Sequence, residues 1–562
     1  MPFRRTRLIV LASLVCLLSI GFAYARGDLP KIRALVSSKV SLNASPDIST
    51  QDSSAADVPT KGQRSADAQS ALASEIINVA ASPQGSVHSL PADLMCFNVN
   101  SVQIPSWHAS ELIGATKKLS PKILRIPGGE VANYWDWQRG GIAEDGKPML
   151  EDLPDGLPEY MRYDARSHTG SKLEDYAAGL AATQTQALFV LNMLTSDLAE
   201  QIDMLSAAAR AGIEIKYLEL GNEYYFGIPN YAHRFPTPES YGEEAKVWIQ
   251  YLRDIFPDIE IAVFGVVPGA NSSVRESRWN EALVKSALPV ADAISLHLYP
   301  GHGLDPNGFS DQGYPAFDEG DFSTIFGEPF QYWQALRDRP AYRLIPKDKE
   351  IWITEFNLIE EVFGDHASRL PRVMGTWGHG LYALTMNMMF LEEPRITMTC
   401  NHDLVENYRF GAILPHESSF EVSAEQAYPV EPMSLSATGQ SLRMLAASVS
   451  SMGDRQAISF SQQPSMTDKS GATYPALYGW RFSESDSTSK QASAVVINLS
   501  EHIVQLNVES LIDSGQEIRY EQLSADPRTL VTSEHALTFR EGRTTEAVTL
   551  SPHAVVQLSL SR

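Results

Sequence analysis

The feature that most limits how this chain folds is a regular alternation of short apolar segments with longer amphipathic ones between about residues 92 and 405. Helical periodicity marks several of the longer segments, among them Leu198–Ala211 and Pro238–Ile255. Strands that alternate with helices pair in parallel, and eight such strands predict an α/β fold built as a (β/α)8 TIM barrel. The segments predicted to be strands are Leu94–Val99, Ile123–Ile126, Ala187–Leu191, Lys216–Leu220, Glu260–Phe264, Ala293–His297, Glu350–Thr354 and Arg395–Thr399.

The sequence changes character after about residue 430, where strand-like segments follow one another with turn residues between them and few helical periods. This pattern predicts a C-terminal antiparallel β-sandwich. We therefore expect a barrel domain at residues 75–430 and a sandwich domain at residues 431–562, with a strand from residues 75–90 as a candidate member of the sandwich. The clearest strand-like segments are Ala457–Phe460, Ala494–Asn498, Val504–Val508 and Val555–Leu560.

The N-terminal residues have the pattern of an export signal. Arginines at positions 4, 5 and 7 precede an apolar run from Leu8 to Ala23, and a small-x-small cleavage site ends at Ala25. We predict a signal peptide at residues 1–25, a disordered linker at residues 26–74, and a secreted or periplasmic protein. An uncleaved N-terminal membrane anchor is the alternative, and no later segment is apolar enough to predict a membrane span.

Composition argues against some classes of function. A formal net charge of −23 disfavours nucleic acid as a partner, because phosphate backbones are bound by clustered lysine and arginine. The thirteen histidines and three cysteines form no HExxH or CxxC pattern, and there is no Walker loop, so neither a metal nor a cofactor is expected. Cys16 lies in the predicted signal. We expect free buried thiols at Cys96 and Cys400, with a disulfide as the alternative in an exported protein.

Two glutamates stand at or just past the ends of predicted strands. Glu223 follows the fourth strand in Leu218–Tyr225, and Glu355 ends the seventh in Ile351–Phe356. Because a barrel gathers the C-terminal ends of its strands around one pocket, these side chains, 132 residues apart, are expected to face each other. Either string alone is more typical of a turn or a strand-end carboxylate. Together they indicate a retaining glycosidase, in which one carboxyl group protonates the leaving oxygen and the other attacks the anomeric carbon.

These strings, together with Leu124–Gly129 and Asn133–Trp137 after the second strand, resemble the clan A glycoside hydrolases, and most specifically the α-L-arabinofuranosidases and their relatives. The resemblance covers roughly residues 92–440, and that family also carries a sandwich domain after the barrel. It implies that Glu223 is the acid/base and Glu355 the nucleophile. It also implies that Asn222, next to Glu223, hydrogen-bonds the 2-hydroxyl of the sugar.

Further side chains near the predicted strand ends are candidates for supporting roles. Arg125 is expected to hydrogen-bond Glu355 and to keep it ionised, with a purely structural ion pair as the alternative. Tyr299 is expected to hydrogen-bond Glu355, and His297 to reach a sugar hydroxyl, with satisfied core polar residues as the alternative. The remaining candidates for contact with sugar are Trp135 or Trp137 by stacking, Asn98, and more weakly Asn192, Asn401 and His402.

The chain departs from the arabinofuranosidase pattern at two places. Glu130 follows the Gly-Gly pair, where a smaller or uncharged polar residue is expected, and the loop Tyr224–Pro229 is unusually aromatic. Because the loops of such barrels select the sugar, these departures affect the substrate more than the reaction.

We expect an exported retaining glycoside hydrolase that acts on terminal residues of an oligo- or polysaccharide, with α-L-arabinofuranosides as the first choice. The alternatives are a β-xylosidase, β-glucosidase or β-glucuronidase of the same clan, a transglycosylase, and a non-catalytic carbohydrate-binding barrel. Related enzymes can be oligomers, so the resemblance also allows an oligomeric state.

Overall fold

A computed structural model describes residues 76–100, 104–142, 171–269, 272–300, 322–358, 373–405, 411–415, 419–420, 428–485, 491–511 and 517–560. The predicted signal peptide and linker lie outside these residues. The parallel barrel predicted from the alternating pattern is confirmed, and each of its eight strands overlaps one predicted segment. The barrel strands are β2 (Met95–Asn98), β3 (Ile123–Ile126), β6 (Gln186–Val190), β7 (Tyr217–Leu220), β8 (Glu260–Phe264), β9 (Ala293–Leu298), β10 (Glu350–Phe356) and β11 (Ile396–Asn401). They close in the order β10-β11-β2-β3-β6-β7-β8-β9.

The helices that surround the barrel begin and end at the signals expected from sequence. Pro238 occupies the first turn of its helix, and the side chain of Thr237 accepts a hydrogen bond from the backbone N–H of Ser240. Where the structure describes the chain, its α-helices offer no apolar stretch long enough to cross a membrane. The α-helices are Ser110–Leu119, Leu173–Thr183, Leu198–Arg210, Pro229–Arg234, Pro238–Ile255, Val274–Lys285, Phe322–Asp338, Pro340–Arg343, Trp377–Phe390 and Ala437–Val449, and 3-10 turns cover Glu130–Asn133, Glu509–Leu511 and Glu534–Ala536.

The C-terminal part of the chain forms a β-rich domain whose nine paired strands run in the order β21-β20-β23-β18-β17-β14-β1-β19-β22. Their bounds are β1 (Ile76–Ser89), β14 (Asp454–Phe460), β17 (Leu477–Ser483), β18 (Ala492–Asn498), β19 (Ile503–Asn507), β20 (Ile518–Ser524), β21 (Thr538–Thr544), β22 (Ala547–Leu550) and β23 (Ala554–Leu560). Short two-stranded sheets are formed by β4 (Trp135–Asp136) with β5 (Gly141–Ile142), β12 (Ser419–Phe420) with β13 (Tyr428–Pro429), and β15 (Ser465–Thr467) with β16 (Thr473–Pro475).

Strand β1 connects the two layers of this domain, a larger one that contains β14, β17, β18, β20, β21 and β23 and a smaller one that contains β19 and β22. Its residues 81–89 pair antiparallel with β14, whereas its residues 76–80 pair parallel with β19. The pairings are otherwise antiparallel among these nine strands, so the domain is mixed at this one position. Apolar side chains of both layers bury each other between them, for example Val79, Val496, Leu506 and Val556.

The sandwich packs against the barrel through buried helices. Every residue of Trp377–Phe390 is buried, and this helix packs on Ala437–Val449, which in turn contacts β18 and β23. The outward-facing apolar residues of the larger layer, such as Trp480 and Val495, belong to the same hydrophobic cluster as the barrel. Both faces of that layer are therefore covered, one by the smaller layer and the other by the apolar cluster that it shares with the barrel.

Cys96 and Cys400 are joined by a disulfide, so the expectation of free thiols is wrong. The two residues lie opposite each other on the neighbouring parallel strands β2 and β11, inside the barrel. The bond spans 304 residues of sequence and ties the first barrel strand to the last. A cross-link over so long a loop restricts the unfolded chain strongly.

Replacing both cysteines by serine is expected to lower the free energy of unfolding by roughly 2–5 kcal/mol. Urea denaturation of the oxidised protein and of the double variant measures the difference. Adding reductant during unfolding should lower the stability of the wild-type protein and leave the double variant unchanged. Equal stability of the oxidised protein and the double variant would contradict a stabilising cross-link.

Candidate active site

Glu223 and Glu355 meet at the C-terminal end of the barrel, with His297 between them. One oxygen of each carboxylate and a ring nitrogen of His297 all lie within 4.8 Å of one another. His297 Nδ1 is 2.8 Å from Glu223 Oε1 and 3.4 Å from Glu355 Oε2. The nearest carboxylate oxygens of Glu223 and Glu355 are therefore no more than 4.8 Å apart. Retaining glycosidases place their two carboxyl groups about 5–5.5 Å apart and inverting ones about 6.5–9.5 Å, so this pair has the short spacing of the retaining class.

Glu355 is surrounded by groups that favour its ionised form. Tyr299 Oη donates to Glu355 Oε2 at 2.5 Å, and Arg125 Nη1 donates to Glu355 Oε1 at 2.8 Å. Burial alone would raise the pKa of Glu355, but the charges of His297, His402 and Arg125 and the Tyr299 hydrogen bond outweigh it and lower the pKa to about 2. Glu355 is therefore a carboxylate at neutral pH, as a nucleophile requires.

The guanidinium of Arg125 holds three groups of the site at once. It is fully buried, and its Nε donates to Glu219 Oε2 at 2.6 Å while its Nη2 donates to Asn222 Oδ1 at 2.8 Å. Glu219 is also fully buried on β7, where Thr354 Oγ1 donates to its Oε1 at 2.8 Å. Burial lowers the pKa of Arg125, but Glu219 and Glu355 raise it above its usual value, so the cation is permanent.

Glu223 has a more open environment than Glu355. Tyr225 Oη donates to Glu223 Oε1 at 3.0 Å, and His297 lies on the same oxygen. The side chain is 12% exposed, and Oε2 has no hydrogen-bond partner among the described residues. The backbone of Glu223 has a φ of 57°, in the left-handed region that non-glycine residues seldom adopt. Because both contacts of Glu223 fall on Oε1, its Oε2 is open to exchange a proton with a ligand.

The Gly-Gly pair after β3 brings the backbone close to the carboxylates. A side chain at Gly128, whose φ is +90°, would place its β-carbon 1.7 Å from the carbonyl oxygen of Val99. A β-carbon at Gly129 would lie 3.8 Å from Glu355 Oε1. Close approach of the backbone therefore requires glycine at position 128, whereas at position 129 glycine permits the positive φ of +47°.

The other predicted sugar contacts are placed in different ways. Asn98 is buried, and its Nδ2 lies 2.9 Å from His402 Nδ1, which is 3.7 Å from Glu355 Oε2. Asn192 is occupied within its own turn, where its Oδ1 accepts from two backbone N–H groups. Asn401 is fully buried, and its Nδ2 donates to the carbonyl of Phe356.

The two tryptophans differ in exposure. Trp135 is only 6% exposed and packs edge-on against Tyr176, so this placement gives no support to stacking on a sugar. Trp137 is half-buried at the edge of the same apolar cluster.

His297 contacts both glutamates through Nδ1, whereas the sequence predicts that it reaches a sugar hydroxyl. The roles of these residues toward a ligand stay predictions.

Several residues of the site were missed from sequence. Glu219 is the clearest, because a glutamate between Leu218 and Leu220 on a buried strand must have an internal partner. Tyr225 and Tyr231 also contact the carboxyl groups of the pocket. The aromatic character of the loop after β7 is visible in the sequence, but the contact of the Tyr225 hydroxyl with Glu223 is not.

The cluster of Glu223, His297 and Glu355 has a spacing that a cation could use. The arginine and tyrosine donors already directed at Glu355 make a cation unnecessary for charge balance there. The arrangement instead fits two carboxyl groups with different tasks, one ionised and one open to proton exchange.

Sequence comparison finds similarity to arabinofuranosidases over part of the chain. No protein-family model matches. The chain is 25% identical over 206 residues to an intracellular exo-α-(1→5)-L-arabinofuranosidase of Streptomyces lividans, covering 34% of this chain and 29% of that protein. It is 26% identical over 220 residues to an exo-α-(1→6)-L-arabinofuranosidase of Bifidobacterium longum, covering 36% of this chain and 39% of that protein. The chain thus matches well under half the length of these curated relatives.

Structural similarity extends further along the chain. A family 51 α-L-arabinofuranosidase from Bifidobacterium longum superposes with a TM-score of 0.59 at 14% identity, covering 86% of this chain and 98% of that one. An arabinose complex of the Thermotoga maritima α-L-arabinofuranosidase gives a TM-score of 0.57 at 14% identity, with 86% and 99% covered. In sequence motifs and in fold, the chain therefore resembles the clan A glycoside hydrolases, closest to the arabinofuranosidase-like families.

Proposed function

We propose that this protein is a retaining glycoside hydrolase that works through a covalent glycosyl-enzyme intermediate. The observation that carries the proposal is the unequal pair of carboxyl groups. Glu355 is held as a carboxylate by Arg125 and Tyr299, while Glu223, within 4.8 Å, keeps one oxygen without a partner among the described residues. A double displacement needs these two states in one pocket.

In the first step Glu355 attacks the anomeric carbon and forms an ester bond to it, while the bond to the leaving oxygen breaks and Glu223 gives that oxygen its proton. In the second step Glu223, now a carboxylate, takes a proton from water. The water oxygen then attacks the anomeric carbon and releases Glu355 as a carboxylate. His297 contacts both carboxyl groups and is positioned to hold their relative orientation through the two steps. No metal is required for the proton or charge balance.

We propose terminal α-L-arabinofuranosides as the substrate class. The support is the similarity to two proteins named exo-acting α-L-arabinofuranosidases. A structural neighbour described as a 4-O-α-L-rhamnosyl-β-D-glucuronidase shares the fold with a TM-score of 0.51. Fold alone therefore does not select the sugar, and the β-glycosides of the same clan remain the competing substrates.

A panel of nitrophenyl glycosides tests the reaction and the sugar together. We expect the highest kcat/KM with the α-L-arabinofuranoside, and nuclear magnetic resonance of the first product should show the anomeric configuration of the substrate. A first product with the opposite configuration would contradict the double displacement. Binding of sugar without any hydrolysis across the panel would favour the non-catalytic barrel.

We also propose export, on the basis of the basic and apolar N-terminal pattern that ends at Ala25. Expression of the full chain in a bacterial host, followed by N-terminal sequencing, tests it. A mature protein that begins at Arg26 outside the cytoplasm supports cleavage. A membrane-bound protein with an intact N-terminus would favour the anchor, and an intact protein in the cytoplasm would contradict export.

A further inference from the structure

Glu130 adds a third carboxyl group to the pocket of Glu223 and Glu355. It directly follows Gly129, where an added β-carbon would lie 3.8 Å from Glu355 Oε1, and it begins the 3-10 turn Glu130–Asn133. Its side chain is half-buried and is close enough to both glutamates to feel their charges. The proposed double displacement uses Glu223 and Glu355 and gives Glu130 no role.

A short chain of hydrogen bonds fixes where Glu130 points. Asn133 Nδ2 donates to Tyr231 Oη at 2.8 Å, so the tyrosine oxygen is an acceptor there. The tyrosine hydroxyl then donates to Glu130 Oε1 at 3.2 Å. Asn133 Nδ2 also donates to the carbonyl of Asn222 at 3.0 Å. Glu130 is thus connected by hydrogen bonds, through Tyr231 and Asn133, to the backbone of the loop that carries Glu223.

Glu130 has no counter-charge in the part of the chain that the structure describes. Among the described residues, no lysine, arginine or histidine nitrogen lies within 4.0 Å of a carboxylate oxygen of Glu130, and the Tyr231 hydroxyl is its one hydrogen-bond partner there. The nearby Arg125 is already engaged by Glu219, Glu355 and Asn222. A carboxyl group in this position is costly to ionise.

The environment of Glu130 raises its pKa, with the hydrogen bond from Tyr231 as the one opposing effect. Burial, the largest effect, raises the pKa of Glu130, and the charges of Glu223 and Glu355 raise it further. The Tyr231 hydrogen bond opposes them, and the pKa lies at about 8. Tyr134, also close by, has its own pKa raised by burial and by Glu130, so it is neutral. Below pH 8 the carboxyl group is protonated, and it ionises as the pH rises through that value.

We propose that Glu130 contacts the bound glycoside as a neutral carboxylic acid, donating a hydrogen bond from its O–H to a sugar oxygen. The inference rests on the proposed glycosidase function. The second carboxyl oxygen of Glu130 has no partner among the described residues, so its O–H is available to a ligand.

Infrared difference spectra between wild-type protein and Glu130→Gln test the protonation without any substrate. At pH 6 we expect the carbonyl band of a protonated carboxyl group in the wild type that Glu130→Gln lacks, and we expect this band to disappear above pH 8. Tyr231→Phe is the matched variant. Because the Tyr231 hydrogen bond lowers the pKa of Glu130, its loss should keep the band to higher pH. A carboxylate at pH 6 would overturn the proposal.

Kinetics with neutral nitrophenyl glycosides at pH 6 test the contact. Glutamine keeps an N–H donor, so Glu130→Gln is expected within about fivefold of the wild-type kcat/KM. Alanine removes the donor, so Glu130→Ala should lose roughly 10- to 100-fold, the range for one buried hydrogen bond to a ligand. Wild-type activity in Glu130→Ala would overturn the contact.

Absence of hydrolysis with every glycoside would remove the proposed function, whereas the infrared result still reports the protonation state of Glu130.

Discussion

Glu355→Ala is expected to lower kcat by at least about 10⁴-fold, because no other described group can form the bond to the anomeric carbon. The variant also leaves a small space beside that carbon. Azide added at high concentration should enter it and attack in place of the carboxylate, so activity should return with a glycosyl azide as product. Its anomeric configuration should be opposite to that of the substrate, since only one displacement then occurs. Nitrophenol release and nuclear magnetic resonance measure rate and configuration.

Glu223→Ala gives the informative contrast. Nitrophenolate leaves without a proton, so the first step should survive, and azide should then give a glycosyl azide of the same configuration as the substrate. Glu281→Gln, an exposed helix residue paired with Lys285, is the control and should keep wild-type kinetics. If Glu355→Ala retains turnover without azide, or if both alanine variants give the same configuration, the assignment of nucleophile and acid/base is wrong.

The barrel could be predicted from sequence because its information is local. Each barrel strand is a short run of residues buried on both faces, such as Ile123–Ile126, and the amphipathic helices between strands have a different period. The carboxylate pair followed from the same pattern, since strand order places Glu223 and Glu355 at one end of the barrel.

Apart from Arg125 and Tyr299, the contacts around these carboxylates depend on strand register and on side-chain direction, which the sequence does not display. The disulfide needed Cys96 and Cys400 to stand at the same level on neighbouring strands. The link between His297 and Glu223 depends on the left-handed turn at Glu223, which directs the carboxyl group toward β9. Among the residues that the sequence analysis did not name, Glu219 is the one that its pattern could have indicated, because it is a charge within an apolar strand.

His297, His402 and Arg125 all favour the ionised form of Glu355, but only the charge of Arg125 is permanent. His402 also acts on Glu355, but burial lowers the pKa of His402 to about 4, so at neutral pH this histidine is uncharged. Because the pKa of Glu355 is lowered on folding, its ionisation stabilises the folded protein above the usual glutamate pKa, and this contribution is lost as the pH falls toward 2. Arg125 is the neighbour whose charge is present over that whole range.

Arg125→Met is therefore expected to reduce both stability and activity. Glu219 and Glu355 would be left buried without their shared cation, which should lower the free energy of unfolding by about 3–5 kcal/mol. The pKa of Glu355 should rise, so the acid limb of the kcat/KM profile should move to higher pH. Urea denaturation and a pH profile measure the two effects. Arg278→Met, which breaks an exposed ion pair with Glu239, is the control and should cost at most about 1 kcal/mol.

The double variant Arg125→Met/Glu219→Gln separates the two roles of the arginine. Removing the charge of Glu219 takes away one of the two unpaired carboxylates, so part of the lost stability should return. The acid limb should stay displaced, because Glu355 still lacks the hydrogen bond and the charge that held it ionised. If the single variant keeps the wild-type acid limb, Arg125 is a structural ion pair alone. If the double variant restores both stability and the acid limb, the charge of Glu219, rather than the loss of Arg125, governs Glu355.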